Sequence, residues 1–358
     1  MKVTIVGGGN IGTQFAVHCA EKGHEVKIFT SKPELFAKKL KIVNENDDVI
    51  REAEIVLATN QEAEAFGEAE LIFVTLPAYC MKDIANSMLP YIKQGTMIGL
   101  IPGTGGGECV FKACVEKGAV VFGLQRVPSV ARLKRYGEVV CATGYRDELF
   151  LAAIPNKYTK ECSELITNIF DMKCIALPNY LNVTLTPSNP ILHTTRLKSL
   201  FEDYYEGKSY AYVPLFYEEW DDKSSELLLK CDDEVQKLCE KMDMIDLSYV
   251  KSLRTHYESE TAEKLTQKLR SIKSLQGLKT PTAGTEKALL PDFSSRYFIA
   301  DFSYGLTIIE QIAEFVQLDV PYIKETMNWY RSLITEREEF QYKDYGIMNS
   351  EQFKQYYI

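Results

Sequence analysis

Three glycines and one histidine stand where residue type and spacing point to chemistry. Gly7, Gly9 and Gly12 lie in Lys2-Val3-Thr4-Ile5-Val6-Gly7-Gly8-Gly9-Asn10-Ile11-Gly12, a GxGxxG spacing between an apolar run and a helical pattern. In that setting the first glycine permits a tight turn and the second lets backbone approach a pyrophosphate. The third lets helix and strand pack closely. Asn10, Ile11 and Gly12 then open a helix whose N-terminal amides favour an anion. The expected ligand is a dinucleotide. A glycine turn with no ligand is the bland alternative, and the strand–turn–helix context, followed by Gly23-His24-Glu25-Val26 leading into a second strand, argues against it.

The end of that second strand selects between the two nicotinamide coenzymes. NAD sites place Asp or Glu about 20 residues beyond the glycines, to accept from the ribose 2′-hydroxyl. This chain has Phe29-Thr30-Ser31-Lys32, with no carboxylate until Glu34. Two hydroxyls and an ammonium suit a 2′-phosphate, so Thr30, Ser31 and Lys32 predict NADPH, with NADH as a second choice; a plain surface lysine is the other reading of Lys32. Leu76 and Pro77 end a further strand, and Pro102-Gly103-Thr104-Gly105-Gly106-Gly107 ends another. Ligands lie at such carboxyl ends in doubly wound sheets. An ordinary strand–helix turn is the alternative for the second glycine cluster.

Of the four histidines, His18 falls inside the first helix and reads as packed, His24 belongs to a turn, and His256 lies in a highly charged helix and reads as solvent-facing. His193 differs. In Thr186-Pro187-Ser188-Asn189-Pro190-Ile191-Leu192-His193, Ser188 or Asn189 can cap a helix whose first turn takes Pro190. His193 is then expected near the start of that helix, facing a cleft between domains. Periodicity leaves it balanced between a catalytic group and a buried, satisfied histidine.

The elements that must position these groups follow two textures. Up to about residue 155, β-rich runs alternate with helical segments: Lys2–Val6, Glu25–Phe29, Ile55–Ala58, Leu71–Thr75, Met97–Ile101, Val120–Leu124, Glu138–Thr143 and Leu149–Ile154. Helical patterns at Thr13–Glu21, Met81–Met88 and Gly107–Lys117 lie between them. That predicts an α/β Rossmann domain with a doubly wound parallel sheet over residues 1–178. Residues 179–358 read as an all-α domain, with helical stretches at Ser224–Met242, Asp246–Ser274, Tyr304–Glu314 and Pro321–Arg337 and a loop from Gly277 to Asp292.

Composition is that of a soluble globular protein: 358 residues, 46% hydrophobic, 25% charged. A net charge of -9 argues against nucleic acid as partner. The nine cysteines form no CxxC pair and show no zinc spacing, so they read as reduced thiols in a cytoplasmic protein with no metal. Apolar runs are strand-length, short of the ~20 residues that cross a bilayer. A monomer and a homodimer are both open.

Asn189-Pro190-Ile191-Leu192-His193 resembles the segment that opens the second domain of the octopine/nopaline (opine) dehydrogenase family. Ser295-Arg296-Tyr297-Phe298-Ile299-Ala300-Asp301-Phe302-Ser303-Tyr304-Gly305-Leu306 resembles that family's Arg-Tyr…Glu-Asp-x-Pro-Tyr-Gly-Leu segment. Val127-Pro128-Ser129-Val130-Ala131-Arg132 with Tyr136-Gly137 is a third block, and with the glycine fingerprint the likeness runs in order across most of the chain. The resemblance implies an NAD(P)H-dependent reductive condensation of a 2-oxo acid with the amine of an amino acid. It makes His193 the acid/base on the 2-oxo oxygen and Asp301 the carboxylate that fixes its tautomer. It also takes Arg296 to the coenzyme pyrophosphate, and leads to Thr104, Arg126 and Asn189 as candidate substrate contacts. Departures fall at Ala300 and Ser303, at Gln125-Arg126 where the family tends to carry Glu-Thr, and at Thr104 where arginine-using members place glutamine. Arg126 reads equally as a carboxylate clamp and as an exposed strand-end residue.

A ketopantoate reductase is the rival within the superfamily, and it requires a catalytic lysine in a KxxxN-like pattern on the helix that opens the second domain. Here Lys198 is followed four places on by Glu202. A non-catalytic NADPH-binding sensor is the rival from another class, with the aromatic tail Phe340-Gln341-Tyr342 and Tyr356-Tyr357-Ile358 as its docking surface.

Overall fold

The computed structural model describes residues 1–186, 188–334 and 337–357; Pro187 and Ile358, named above, lie outside them. The chain divides into two compact units, Met1–Thr184 joined by Tyr357, and Leu185–Tyr356.

In the first unit, β1 (Lys2–Val6) lies between β2 (Glu25–Phe29) and β6 (Leu71–Val74) and runs parallel to both. The parallel run extends through β5 (Leu57–Thr59) beyond β2, and through β7 (Met97–Leu100) and β8 (Val120–Leu124) beyond β6. These strands are apolar because helices or a second sheet cover both faces. Beyond β8 the direction changes. β11 (Glu148–Ile154) is antiparallel to β8 and parallel to the edge strand β12 (Lys173–Ala176). The expected doubly wound parallel sheet is present in six strands, with β11 and β12 added in the opposite direction. β12 escapes a sequence reading because it is four residues long with both ends exposed.

A four-stranded sheet, in the order β4-β3-β10-β9, is also absent from the sequence reading. It comprises β3 (Lys39–Val43), β4 (Val49–Glu54), β9 (Val130–Arg135) and β10 (Val139–Thr143). Charged residues on the open face hide its alternation, as in Val-Ile-Arg-Glu-Ala-Glu of β4. The run Glu138–Thr143, expected in the main sheet, belongs here instead. The inner face sends Leu40, Ile42, Ala131 and Val140 into the core shared with Phe15 and Val17 of α1 (Asn10–Glu21). Phe15 sits at the centre of that core, edge-on to Phe73 of β6 and to Phe170. Edge-to-face rings at such spacings add about 0.5–1.5 kcal/mol beyond burial.

The second unit is helical. α2 (Asn189–Phe201) packs on α3 (Asp222–Lys241), which starts where the Asp221 carboxylate accepts from the Ser224 amide. The stretch Asp246–Ser274 is not one helix; it breaks at Glu258, φ +52°, into α4 (Leu253–Tyr257) and α5 (Ala262–Ser271). Residues Gly277 to Asp292, expected as loop, contain a hairpin of β13 (Thr282–Thr285) and β14 (Ala288–Pro291), so the unit is not purely α. α6 (Arg296–Asp301) widens into a π-turn over Phe302–Leu306 before α7 (Thr307–Phe315), and α8 (Pro321–Leu333) follows. Single π-turns inside helices recur at functional sites.

Candidate active site

The glycine turn is built as its spacing demands. Gly7 has φ +102°, open to glycine alone at low cost, and its amide donates to Phe29 O at 3.0 Å. A Cβ on Gly12 would lie 1.8 Å from the Gly7 carbonyl oxygen, so turn and helix touch backbone to backbone. Gly9 precedes α1, and a side chain there would meet nothing within 4 Å. The start of α1 thus has no side chain at Gly9 to crowd a ligand, and helix N-termini of this kind favour phosphate groups. Leu76 and Thr75 close the other side of Gly7, with Thr75 Oγ1 donating to Val6 O at 2.9 Å. The Asn10 side chain accepts from the Leu133 amide at 2.7 Å through Oδ1 and so ties α1 to β9.

At the end of β2, Ser31 and Lys32 are exposed, whereas Thr30 is buried with its hydroxyl 3.0 Å from that of Tyr136. Phe36 packs edge-on against Tyr136 and lies over Gly8. Tyr136 reaches this place because Gly137, φ +73°, sits against the Leu35 backbone. Thr104 and Arg126 are half-buried in this unit.

In the helical unit, His193 sits on α2, five places into a helix that begins at Asn189. Ser188 precedes that helix but gives no side-chain cap; the Leu192 amide donates instead to its carbonyl at 2.8 Å. Asn189 is exposed. The imidazole is 3% exposed. Its Nδ1 lies 2.7 Å from Oδ2 of Asp301, the last residue of α6 before the π-turn. Its Nε2 lies 2.6 Å from the hydroxyl of Tyr217. Tyr297 stacks obliquely on the ring at 4.2 Å between centroids, and Arg296, exposed, lies over Tyr297 at 5.7 Å. An ionised Asp301 requires hydrogen on Nδ1, which leaves the Nε2 lone pair to accept from Tyr217. The sequence reading contained His193 and Asp301 and lacked Tyr217, which carries no spacing signal in Val213-Pro214-Leu215-Phe216-Tyr217.

The other histidines do different work. His18 is buried against the Tyr145 hydroxyl at 3.2 Å, and burial pushes its pKa down to about 3, which keeps it neutral. His256 is exposed. Lys198 is committed to Glu325 at 2.7 Å, so the lysine that a ketopantoate-type mechanism would use is held in an ion pair. Among the described residues no group of three or more His, Cys, Asp or Glu is placed to hold a metal ion, and no helix is long and apolar enough to cross a membrane.

Residues 176–334 match the NAD/NADP octopine/nopaline dehydrogenase alpha-helical domain, and residues 2–106 match the N-terminus of NAD-dependent glycerol-3-phosphate dehydrogenase. The octopine dehydrogenase of Mizuhopecten yessoensis is 23% identical over 363 residues, spanning 93% of this chain and 90% of its own. The helical unit thus carries the match to the octopine/nopaline dehydrogenase family, and the likeness to octopine dehydrogenase runs over nearly the whole chain. It is an NAD(P)-dependent dehydrogenase. A solved octopine dehydrogenase, in a complex with NADH and L-arginine, shares the fold at TM-score 0.84 and 20% identity, over 99% of this chain and 97% of its own. A ketopantoate reductase from Ralstonia eutropha JMP134 reaches TM-score 0.59 at 13% identity over 93% of this chain and 98% of its own, a likeness of fold alone.

Proposed function

We propose that this opine dehydrogenase joins a 2-oxo acid to the amine of an amino acid, with NADPH as the preferred coenzyme. The observation that carries the reading is the 2.7 Å contact between His193 Nδ1 and Asp301 Oδ2, inside the stretch that matches the family's helical domain. A carboxylate behind an imidazole fixes the tautomer and stabilises the imidazolium, which equips His193 to handle the proton of the 2-oxo oxygen. The amine adds to the carbonyl, the carbinolamine loses water, and the resulting imine is the species to be reduced.

The residues of the glycine turn fit a dinucleotide: Gly7, Gly9 and Gly12 with the amides of Asn10 and Ile11 take the pyrophosphate, and Leu76 and Pro77 flank it. The bound coenzyme supplies the hydride. Ser31 and Lys32 favour a 2′-phosphate, with Thr30 held back by Tyr136 as a backing wall. Arg296 is assigned to the pyrophosphate, and Thr104, Arg126 and Asn189 to the substrates, with Arg126 suited to clamp a carboxylate.

The test is coenzyme oxidation with panels of 2-oxo acids and amino acids. Consumption only when both partners are present is the expected result. Consumption with an oxo acid alone would replace the reading with a simple 2-oxo acid reductase, and no consumption with any pair would leave a binding protein. Titration with NADPH and NADH tests the coenzyme choice, which equal or tighter NADH binding would overturn.

A further inference from the structure

Both nitrogens of the His193 ring are engaged, Nδ1 by Asp301 at 2.7 Å and Nε2 by Tyr217 at 2.6 Å, and the ring is 3% exposed. A proton leaving the ring at Nε2 therefore has the Tyr217 oxygen as its acceptor. From this we infer that Tyr217 is the terminal proton donor of the site, relaying the proton of His193 to the substrate oxygen. The inference rests on the opine dehydrogenase reading above.

The segment carrying Tyr217 is anchored to the same helix as His193. Arg196, one turn along α2 and fully buried, donates from Nε to Phe216 O at 3.1 Å and from Nη2 to Glu219 O at 2.6 Å. Its Nη1 reaches Asp221 Oδ2 at 2.8 Å and Ser224 Oγ at 3.0 Å. Three guanidinium nitrogens thus fix residues 216–221 against the helix that presents the imidazole, which sets the phenol on Nε2 by construction. Fixed geometry is what a relay needs, since proton transfer depends steeply on donor–acceptor distance and alignment.

In the resting state the Tyr217 hydroxyl donates to neutral His193. When His193 is protonated the bond reverses: Nε2–H donates to the phenol oxygen and the phenol O–H turns outward. As the carbinolamine C–O bond breaks, Tyr217 gives its proton to the departing oxygen, which leaves as water. The nitrogen lone pair forms the C=N bond, and His193 Nε2 gives its proton to the phenol oxygen. The imidazolium becomes imidazole and its positive charge passes to the nitrogen, which keeps its hydrogen as an iminium, so charge and atoms balance. Tyr297, Tyr257 and Asp301 oppose a phenolate at Tyr217, Arg296 favours one, and burial pushes the phenol well above its usual pKa, so Tyr217 stays protonated between transfers.

Tyr217→Phe in the full chain tests the relay. The expected result is a fall in kcat of ~100-fold, the scale of a lost general acid, with unchanged NADPH affinity and a melting temperature lowered only by the loss of one buried hydrogen bond. Near wild-type kcat in Tyr217→Phe, with His193→Ala inactive, overturns the relay and leaves His193 acting directly. Wild-type kcat in both overturns the functional reading itself. A 3-fluorotyrosine at position 217 keeps the hydroxyl and covers the case in which the phenylalanine variant fails to fold. Its more acidic phenol stabilises the neutral imidazole it donates to, so the alkaline limb of the kcat–pH profile moves to lower pH. An unmoved limb overturns the relay.

Discussion

The proposed coenzyme cradle and the imidazole site are built by opposite means. The cradle is local: eleven consecutive residues, Lys2–Gly12, supply strand, turn and helix start, and the groups proposed to work there are backbone amides next to glycines. The imidazole site is assembled from positions 193, 217 and 301, on three segments brought together only by packing, and every working group is a side chain. A site made of backbone depends on what residues lack, and one made of side chains on what the fold holds against them. The two should fail differently.

The largest expected effect is on the assembled site. His193→Ala should lose ~100-fold or more in kcat with little change in NADPH affinity, as expected on deleting a general acid/base. Steady-state kinetics beside coenzyme titration check this, and unaltered turnover removes His193 from the mechanism. Asp301→Asn keeps the shape and loses the negative charge; it should retain the fold and lose most of the activity, by roughly 10- to 100-fold, since the wrong tautomer becomes available. A wild-type rate in that variant disproves the dyad.

The cradle should break in the other direction. Gly12→Ala places a Cβ 1.8 Å from the Gly7 carbonyl oxygen, so the turn must open. Coenzyme affinity should fall by on the order of 10-fold or more, about 1.4 kcal/mol per decade, while His193 keeps its partners. Lys32→Ala is the milder version. It removes one exposed ammonium, so NADPH should bind up to ~10-fold more weakly in low salt with NADH unchanged, and added salt should narrow the gap. Equal loss for both coenzymes would assign Lys32 to something other than a 2′-phosphate.

This contrast also explains what could be read in advance. The turn at Gly7, Gly9 and Gly12 was legible because strand, turn and helix start share one stretch of chain. His193 was legible as a candidate from its place in a helix start, but its pairing with Asp301, 108 positions away, came only through the family resemblance. Tyr217 was invisible, since nothing in its own neighbourhood marks it and the arginine that positions it sits on another segment. The second sheet was missed for a related reason. β4 exposes most of its residues and β9 carries Arg132, Lys134 and Arg135, so the period-2 signal that marked the buried strands was overlaid by charge.

A last comparison lies between two carboxylates of the helical unit. Asp301 faces an imidazole and is 16% exposed, whereas Asp232 on α3 is 2% exposed and accepts from the Leu253 amide at 2.8 Å, clamping the start of α4. Burial, partly offset by that amide, pushes the Asp232 pKa from 3.8 up to about 6. A strongly shifted acid often marks a catalytic site, yet here it marks a structural clamp. Because its pKa is higher in the folded protein than in the unfolded chain, the folded state holds the proton more tightly. The stability this contributes is complete below about pH 4 and is lost as pH rises through about 6. Asp232→Asn keeps an acceptor for the Leu253 amide and cannot ionise. It should therefore be more stable than the parent by about 1–3 kcal/mol at pH 7.5 and nearly equal to it at pH 4, with kcat unchanged at either pH. Urea unfolding at the two pH values checks this. A variant less stable at pH 7.5 would mean that the charged form makes contacts worth more than its burial costs, and the clamp would then need its charge as Asp301 does.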